Sequence, residues 1–152
     1  MKEKIRVQSE LFLIGSVGYG LLEILWRGFT HWTMVLTGGA CFSAIYFLDG
    51  KYGKKSILER GLMGSTVITS VEFLVGCIVN MGLHWNVWDY SKLPFNICGQ
   101  ICLRYSAFWF ALSMPLFWLC GKLRGFFARQ HSQKQGSLSA KPKPSLPSPV
   151  RK

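Results

Sequence analysis

The chain has 152 residues, of which 49% are hydrophobic, 14% are aromatic and only 16% are charged, yet its formal net charge is +11. Soluble domains carry charge on about 25% of their residues, so this composition excludes an ordinary basic soluble protein such as a nucleic-acid-binding domain. A chain that is both apolar and basic is typical of a membrane protein whose positive charges lie outside its apolar stretches. At this length we expect one compact unit, with no room for a separate ATPase domain.

Four apolar runs are each long enough to cross a membrane, which takes about 20 mostly apolar residues in a helix. The runs are apolar around most of their circumference, as expected of helices that face lipid. In chain order, the predicted transmembrane helices are residues 11–29, 31–48, 62–83 and 97–119. The predicted fold class is therefore all-α, a polytopic bundle of four transmembrane helices within a membrane domain of residues 1–130.

The positive charges predict how the helices are oriented. Every basic residue except Arg27, Lys92 and Arg104 lies in the N-terminal segment, in the connection 49–60 or after the fourth helix. By the positive-inside rule, this alternation places both termini in the cytoplasm. We therefore expect a multi-pass protein of the cell (inner or plasma) membrane. A cleavable signal peptide is not expected, because Glu23 interrupts the first run and no small-residue cleavage site follows it.

The segment 131–152 differs in composition from the rest of the chain. It holds four of the six prolines, together with Ser, Lys and Gln, and almost no apolar side chains. Such a segment buries too little surface to offset its ordering entropy. It is therefore predicted to be a disordered, basic cytoplasmic tail.

A short internal repeat suggests that the bundle consists of two similar helical hairpins. The pattern Gly-Ser-x6-Glu-x-Leu begins at Gly15 in the first helix and again at Gly64 in the third. A parallel repeat of this kind is an arrangement known among transporters.

Glutamate and arginine side chains occur at four positions within the predicted spans: Glu23, Arg27, Glu72 and Arg104. A charge within a membrane is costly and usually faces the bundle interior or a water-filled cavity. At a rise of about 1.5 Å per residue, all four lie between the bilayer centre and its outer face. Small and polar residues flank the two acids at three- and four-residue spacing, which allows close helix contacts and hydrogen bonds. The predicted intramembrane cluster is Glu23, Arg27, Glu72, Asn80 and Arg104.

Three interpretations of this cluster stay open, the simplest being that one of these residues is exposed or lies outside its predicted place. In the structural interpretation, Glu23 and Arg27 form a pair within one helix, while Glu72 and Arg104 fasten two helices together. In the functional interpretation, one glutamate whose charge is disfavoured by desolvation binds a proton or a cationic solute. Glu72 is then the stronger candidate, because Glu23 has a partner one turn away.

Motifs for other chemistry are missing from the sequence. It contains no Walker A loop, dinucleotide fingerprint, nucleophile elbow or zincin motif. Cys98 and Cys102 are four residues apart, but no histidine accompanies them, and they are interpreted as small buried residues. We therefore predict no enzyme activity, no cofactor, no metal site and no nucleic-acid partner.

The connection between the third and fourth helices is the most distinctive stretch. Its aromatic residues suit the membrane interface, and its Asp, Ser, Asn and Pro residues favour turns. Asn96 is the predicted N-cap of the fourth helix. The loop either anchors the bundle at the interface or covers an outward-facing cavity above the charged residues. The candidate residues of this outer-loop motif are Trp88, Asp89, Tyr90, Ser91, Pro94, Phe95, Asn96, Gly99 and Gln100.

This loop resembles the CmpB family of putative ABC-transporter type IV membrane proteins, and the resemblance spans about Gly15–Ser113. It implies a permease-like membrane component without naming a substrate, and any ATP coupling would require a separate subunit. The residues that carry the resemblance are Trp88-Asp89-Tyr90-Ser91, Pro94-Phe95-Asn96, Gly99, Ile101-Cys102-Leu103, Gly18-Tyr19-Gly20 with Glu23, and Arg60-Gly61 leading to Glu72.

The sequence thus predicts a small permease-like component of an ABC-type transporter, embedded in the lipid bilayer. Because four helices enclose little space, we expect it to act as a homo-oligomer or with other membrane or ATPase subunits. Two alternatives stay open. One is a non-transporting assembly or regulatory membrane protein. The other is a proton-coupled small-molecule exporter, against which the strong charge bias counts because such exporters often work as antiparallel dimers.

Overall fold

The computed structural model describes residues 2–139, which form an all-α bundle with a small β-hairpin before the last helix. All four long helices in this part of the chain have the length and apolar composition to cross a membrane. The predicted polytopic four-helix fold is therefore confirmed. In chain order the elements are α1 (Lys2–Arg27), α2 (Trp32–Tyr52), α3 (Ile57–Gly76) with a π-helical extension (Cys77–Gly82), β1 (Asn96–Ile97), β2 (Ile101–Cys102) and α4 (Leu103–Ser139).

Each of the four helices extends beyond its predicted apolar run at one end only, because polar residues there also favour helix. α3 begins at Ile57, before the predicted start at residue 62, because Ser56 and Glu59 form a capping box. The Ser56 hydroxyl accepts a hydrogen bond from the Glu59 N–H at 3.3 Å, and the Glu59 carboxylate accepts one from the Ser56 N–H at 2.9 Å. Such a box satisfies two N–H groups that a helix start leaves unpaired.

The start of α4 differs from its prediction. The expected helix start at residue 97 with Asn96 as N-cap is wrong, because Asn96–Ile97 pairs with Ile101–Cys102 as an antiparallel hairpin. The turn between these strands places Cys98 at φ 52° and Gly99 at φ 67°, values that a right-handed helix excludes.

The far end of α4 continues to Ser139, well past the predicted end of the span at residue 119. Residues 131–139, the beginning of the segment predicted to be a disordered tail, are therefore helical. Residues 140–152 of that segment lie outside the described residues.

Glycines allow close helix contacts within each of the two helical hairpins, α1–α2 and α3–α4. A Cβ at Gly15 of α1 would collide with α2 beside Gly38 and Gly39, and a Cβ at Gly64 of α3 would collide with Ser113 of α4. Gly15 and Gly64 begin the two copies of the internal repeat, so both copies place a glycine where the two helices of a hairpin meet. α2 also contacts α3 and α4 and so joins the hairpins.

Polar contacts join the beginning of α1 to the C-terminal part of α4 at the same end of the bundle. Arg6 of α1 donates to Gln130 of α4 at 2.9 Å, and the His131 ring lies 3.5 Å from the Glu3 carboxylate. The far end carries the loop between α3 and α4, and we call it the outer end.

Candidate functional site

Glu23 and Arg27 form the intrahelical pair that their spacing predicts. The Arg27 Nη2 atom donates to Glu23 Oε2 at 2.6 Å, and Thr30 donates to the same oxygen at 3.1 Å. Arg27 also reaches the carbonyl oxygen of Val87 in the outer loop at 3.4 Å. Glu23 is buried, but a cation one helical turn away balances its charge.

Glu72 has partners of a different kind. Its side chain is only 2% exposed, and its carboxyl accepts hydrogen bonds from the Tyr19 hydroxyl at 3.1 Å and from the Trp109 Nε1–H at 2.6 Å. Both donors are neutral, and they come from α1 and α4. The two hydrogen bonds therefore draw three of the four helices together at one carboxyl group.

The predicted Glu72–Arg104 pair is wrong. The β-hairpin delays the start of α4, so Arg104 lies in the first turn of that helix, where it is exposed and makes no ion pair with Glu72. The depth of the two residues could be estimated from the sequence, but the rotation of α4 about its axis could not. Of the predicted cluster, the structure brings Glu23, Arg27, Glu72 and Asn80 into the bundle and leaves Arg104 outside.

The rings of Tyr19 and Trp109 separate two spaces inside the bundle. Their centroids are 5.7 Å apart, and both residues line both spaces. The smaller space, about 20 Å³, also borders Glu23 and Arg27 and has room for one water molecule. The larger, about 180 Å³, has an almost wholly apolar lining. Glu72 therefore fixes the two rings that form a wall between a charged compartment, which borders Glu23 and Arg27, and the apolar cavity.

The outer loop folds back into the bundle on a buried amide network centred on Asn80. The Asn80 side chain donates to the Trp88 carbonyl at 3.0 Å and to Gln100 Oε1 at 2.8 Å, and it accepts from the Val87 N–H at 2.7 Å. The Trp88 indole donates to the Gln100 carbonyl at 2.9 Å. A Cβ at Gly76 would collide with Gln100, so this glycine makes room for the loop.

The remaining loop residues build turns above this network. Ser91 donates to the Asp89 carboxylate through its N–H and its hydroxyl, both at 2.8 Å, and these bonds lower the pKa of the exposed Asp89. Asn96 donates to the Leu93 carbonyl at 2.7 Å and accepts from the Gly99 N–H at 3.0 Å. These residues serve the loop's own geometry.

Tyr90 connects the loop to α4, and two other motif residues face outward. The Tyr90 ring stacks on Tyr105 with centroids 4.6 Å apart, and burial raises the pKa of its hydroxyl well above the ordinary value. Tyr90 and Tyr105 also border the small charged compartment. Pro94 and Phe95 are exposed, and Phe95 has φ 55°.

Sequence reasoning missed Tyr19 and Trp109 as partners of a buried acid. Both are aromatic residues in apolar runs, where they are indistinguishable from ordinary core or lipid-facing positions. Tyr19 gave two signals: it lies one helical turn before Glu23, near the predicted polar stripe of α1, and it is among the residues that carry the family resemblance.

Comparison with known proteins identifies a family. A family model described as putative ABC-transporter type IV matches residues 11–139, which include most of α1, the other three long helices and the outer loop. No curated protein and no solved structure matches the chain.

Proposed function

Because the chain belongs to the putative ABC-transporter type IV family, we propose that it is a small permease-like membrane subunit that takes up a proton or a cationic group at Glu72. The family covers most of the chain and supports a transporter-related membrane role. The choice of Glu72 depends on the geometry of the bundle interior.

The observation that carries this proposal is the partnership of Glu72. A buried carboxylate without a cationic partner is costly, so such a group is stabilised by a proton or by a bound cation. Glu72 accepts only from the neutral Tyr19 and Trp109 side chains. Glu23, in contrast, is already paired with Arg27. Among the described residues, Glu72 is therefore the buried acid that has no cationic partner.

The same contacts provide a mechanism. A proton or cation on Glu72 weakens its hold on the Tyr19 hydroxyl and the Trp109 indole, because hydrogen bonds to a charged acceptor are stronger than those to a neutral one. The two rings form the wall between the charged compartment and the apolar cavity. Loading of Glu72 thus frees the wall to move, which couples binding to opening of the bundle.

In this proposal the chain transports only together with other subunits. The four helices enclose cavities of only about 180 and 20 Å³ at Tyr19 and Trp109, too little for a continuous pathway through one copy. The sequence has no nucleotide-binding motif, so ATP coupling requires a separate subunit. A homo-oligomer or a complex with an ATPase completes the transporter in this scheme.

A second candidate function is a non-transporting assembly subunit, and the length of α4 favours it. α4 runs from Leu103 to Ser139, about 55 Å at 1.5 Å per residue, whereas the hydrocarbon core of a bilayer is about 30 Å thick. The surplus length lies at the end of the bundle where α1 begins, and it projects a helix to which another protein can dock.

Affinity purification from native membranes in mild detergent tests the proposal and separates the two candidates. We expect an ATPase to co-purify, with a hydrolysis rate that depends on Glu72. Glu72→Gln should assemble normally but lower the rate by about tenfold, within the range of ~5–150-fold that couplings between sites usually span. The matched control is Glu10→Gln, an acid that is half-exposed on α1 and pairs with Arg6.

Two outcomes would contradict the permease proposal. Envelope or regulatory proteins without any ATPase would favour the assembly subunit. Loss of assembly in Glu72→Gln, with Glu10→Gln unaffected, would show that Glu72 only fastens helices together.

A further inference from the structure

The apolar cavity shares Tyr19 and Trp109 with the Glu72 site, but Glu72 itself does not line it. Its volume is about 180 Å³. Residues of all four helices line it, and its walls are aliphatic and aromatic side chains apart from the Cys41 thiol and the backbone of glycines. The Tyr19 hydroxyl is turned away to Glu72, so the cavity offers almost nothing to a polar ligand.

The cavity reaches the lipid-facing surface between α1 and α4. Its α1 wall includes Gly18, which is exposed, and Ile14, which is 39% exposed. A Cβ at Gly18 would meet no atom within 4 Å, so open space lies beside this residue. Leu112 and Leu116 of α4 form the opposite side.

The cavity reaches the middle of the bilayer at the end where Tyr19 and Trp109 line it. Leu22, which lines this end, lies about 17 Å along the first helix from residue 11, where the apolar run begins, at 1.5 Å per residue in a hydrocarbon core about 30 Å thick. Acyl chains of either leaflet end at this depth. A polar headgroup would be far from water there, and the apolar lining would leave it unsatisfied.

From this position and lining, we propose that the cavity binds the terminal part of one acyl chain of a bilayer lipid, which enters between α1 and α4 past Gly18. Apolar cavities of about 150 Å³ stay dry and bind ligands of benzene size, so this cavity accepts the last several carbons of one chain. An empty cavity would forfeit the dispersion contacts of its lining. The bound chain packs against the Tyr19 and Trp109 rings.

The acyl-chain site is independent of the proposed transport role. It requires only the cavity and its opening to lipid, whereas the transport role depends on the unmet charge requirement of Glu72. Either can fail without the other.

Trp109 is a fluorescent reporter within the cavity wall. Replacing the exposed Trp26, Trp32, Trp85 and Trp118 by Phe leaves Trp88 and Trp109, which are 6% and 4% exposed. This chain is reconstituted into nanodiscs of phosphatidylcholine brominated either near the end of the acyl chain or near its carbonyl. We expect bromines near the chain end to remove most of the Trp109 emission, and bromines near the carbonyl to leave it.

Gly18→Leu in the same background fills the entrance and should restore most of that emission. The matched control is Gly121→Leu. Gly121 is also an exposed helical glycine at which a Cβ would meet no atom within 4 Å, but it lies outside the cavity lining. This control should leave the quenching unchanged.

Equal quenching in the parent chain and in Gly18→Leu would overturn the proposal, because the bromines would then act from the surrounding lipid. Absence of quenching from both bromine positions would also overturn it, since the entrance would then be closed or covered by a second copy of the chain.

Discussion

Glu23 and Glu72 occupy equivalent positions in the two copies of the repeat, but Glu23 forms an ion pair and Glu72 has only neutral hydrogen-bond donors. Glu23 has Arg27 one turn away, and i, i+4 spacing on a helix was enough to predict that pair. The partners of Glu72 come from two other helices, 53 and 37 residues away along the chain. Spacing within one helix carries no information about such contacts, so this half of the site could not be predicted.

Trp109→Phe tests how much the indole contributes at Glu72. It removes a 2.6 Å hydrogen bond to a buried carboxyl but keeps an aromatic ring, so we expect a loss of about 1–3 kcal/mol in the free energy of unfolding. Denaturation in mixed micelles measures the change. Trp118→Phe, on the same helix but 64% exposed, should stay within about 0.5 kcal/mol. Equal losses in both variants would contradict the assigned role of Trp109.

At the scale of elements, the four helices were predictable and the hairpin β1–β2 was not. Apolar runs of sufficient length determine the spans whatever their partners are. The hairpin instead depends on positive φ at Phe95 and Cys98, two residues that rarely adopt it. Only the network around Asn80 and the fit of Gln100 against Gly76 show why the chain turns there.

Asn80→Ala tests that network as the anchor of the outer loop. The substitution leaves the Val87 N–H and the Gln100 side chain without their buried partner, at a cost of about 1–3 kcal/mol for each such group. We expect faster amide hydrogen exchange across residues 84–102 with little change in α1 and α2. The control is Lys92→Ala, because Lys92 is exposed in the same loop, has no positive φ and makes no side-chain hydrogen bond among the described residues. Uniformly faster exchange throughout the chain would contradict a local anchor.

For the whole molecule, most of the positive charge behind the net +11 lies outside the apolar runs and determines how the bundle is oriented in the membrane. The structure places the beginning of α1 and residues 130–131 of α4 at one end of the bundle and the outer loop at the other. The basic connection before α3 belongs to the end where α1 begins, and the positive-inside rule then predicts that this end is cytoplasmic. The fold thus determines which segments lie at the same end of the bundle, and the charges predict which side of the membrane that end faces.

Cysteine labelling tests that direction. In a chain whose five cysteines are replaced by Ser or Ala, a membrane-impermeant maleimide should label Ser91→Cys in intact cells, because Ser91 is exposed in the outer loop. Lys54→Cys, exposed in the connection between α2 and α3, should react only after permeabilisation. Labelling of both positions in intact cells would show mixed orientations and would favour an antiparallel exporter.

Infrared difference spectroscopy measures whether the Glu72 carboxyl takes up a proton. Protein in nanodiscs is moved between alkaline and acidic buffer, and the carbonyl stretch of a newly protonated buried carboxyl is recorded. We expect a band that Glu72→Gln abolishes and Glu10→Gln retains. A band that persists unchanged in Glu72→Gln would rule out proton uptake at Glu72, because another group would then bind the proton.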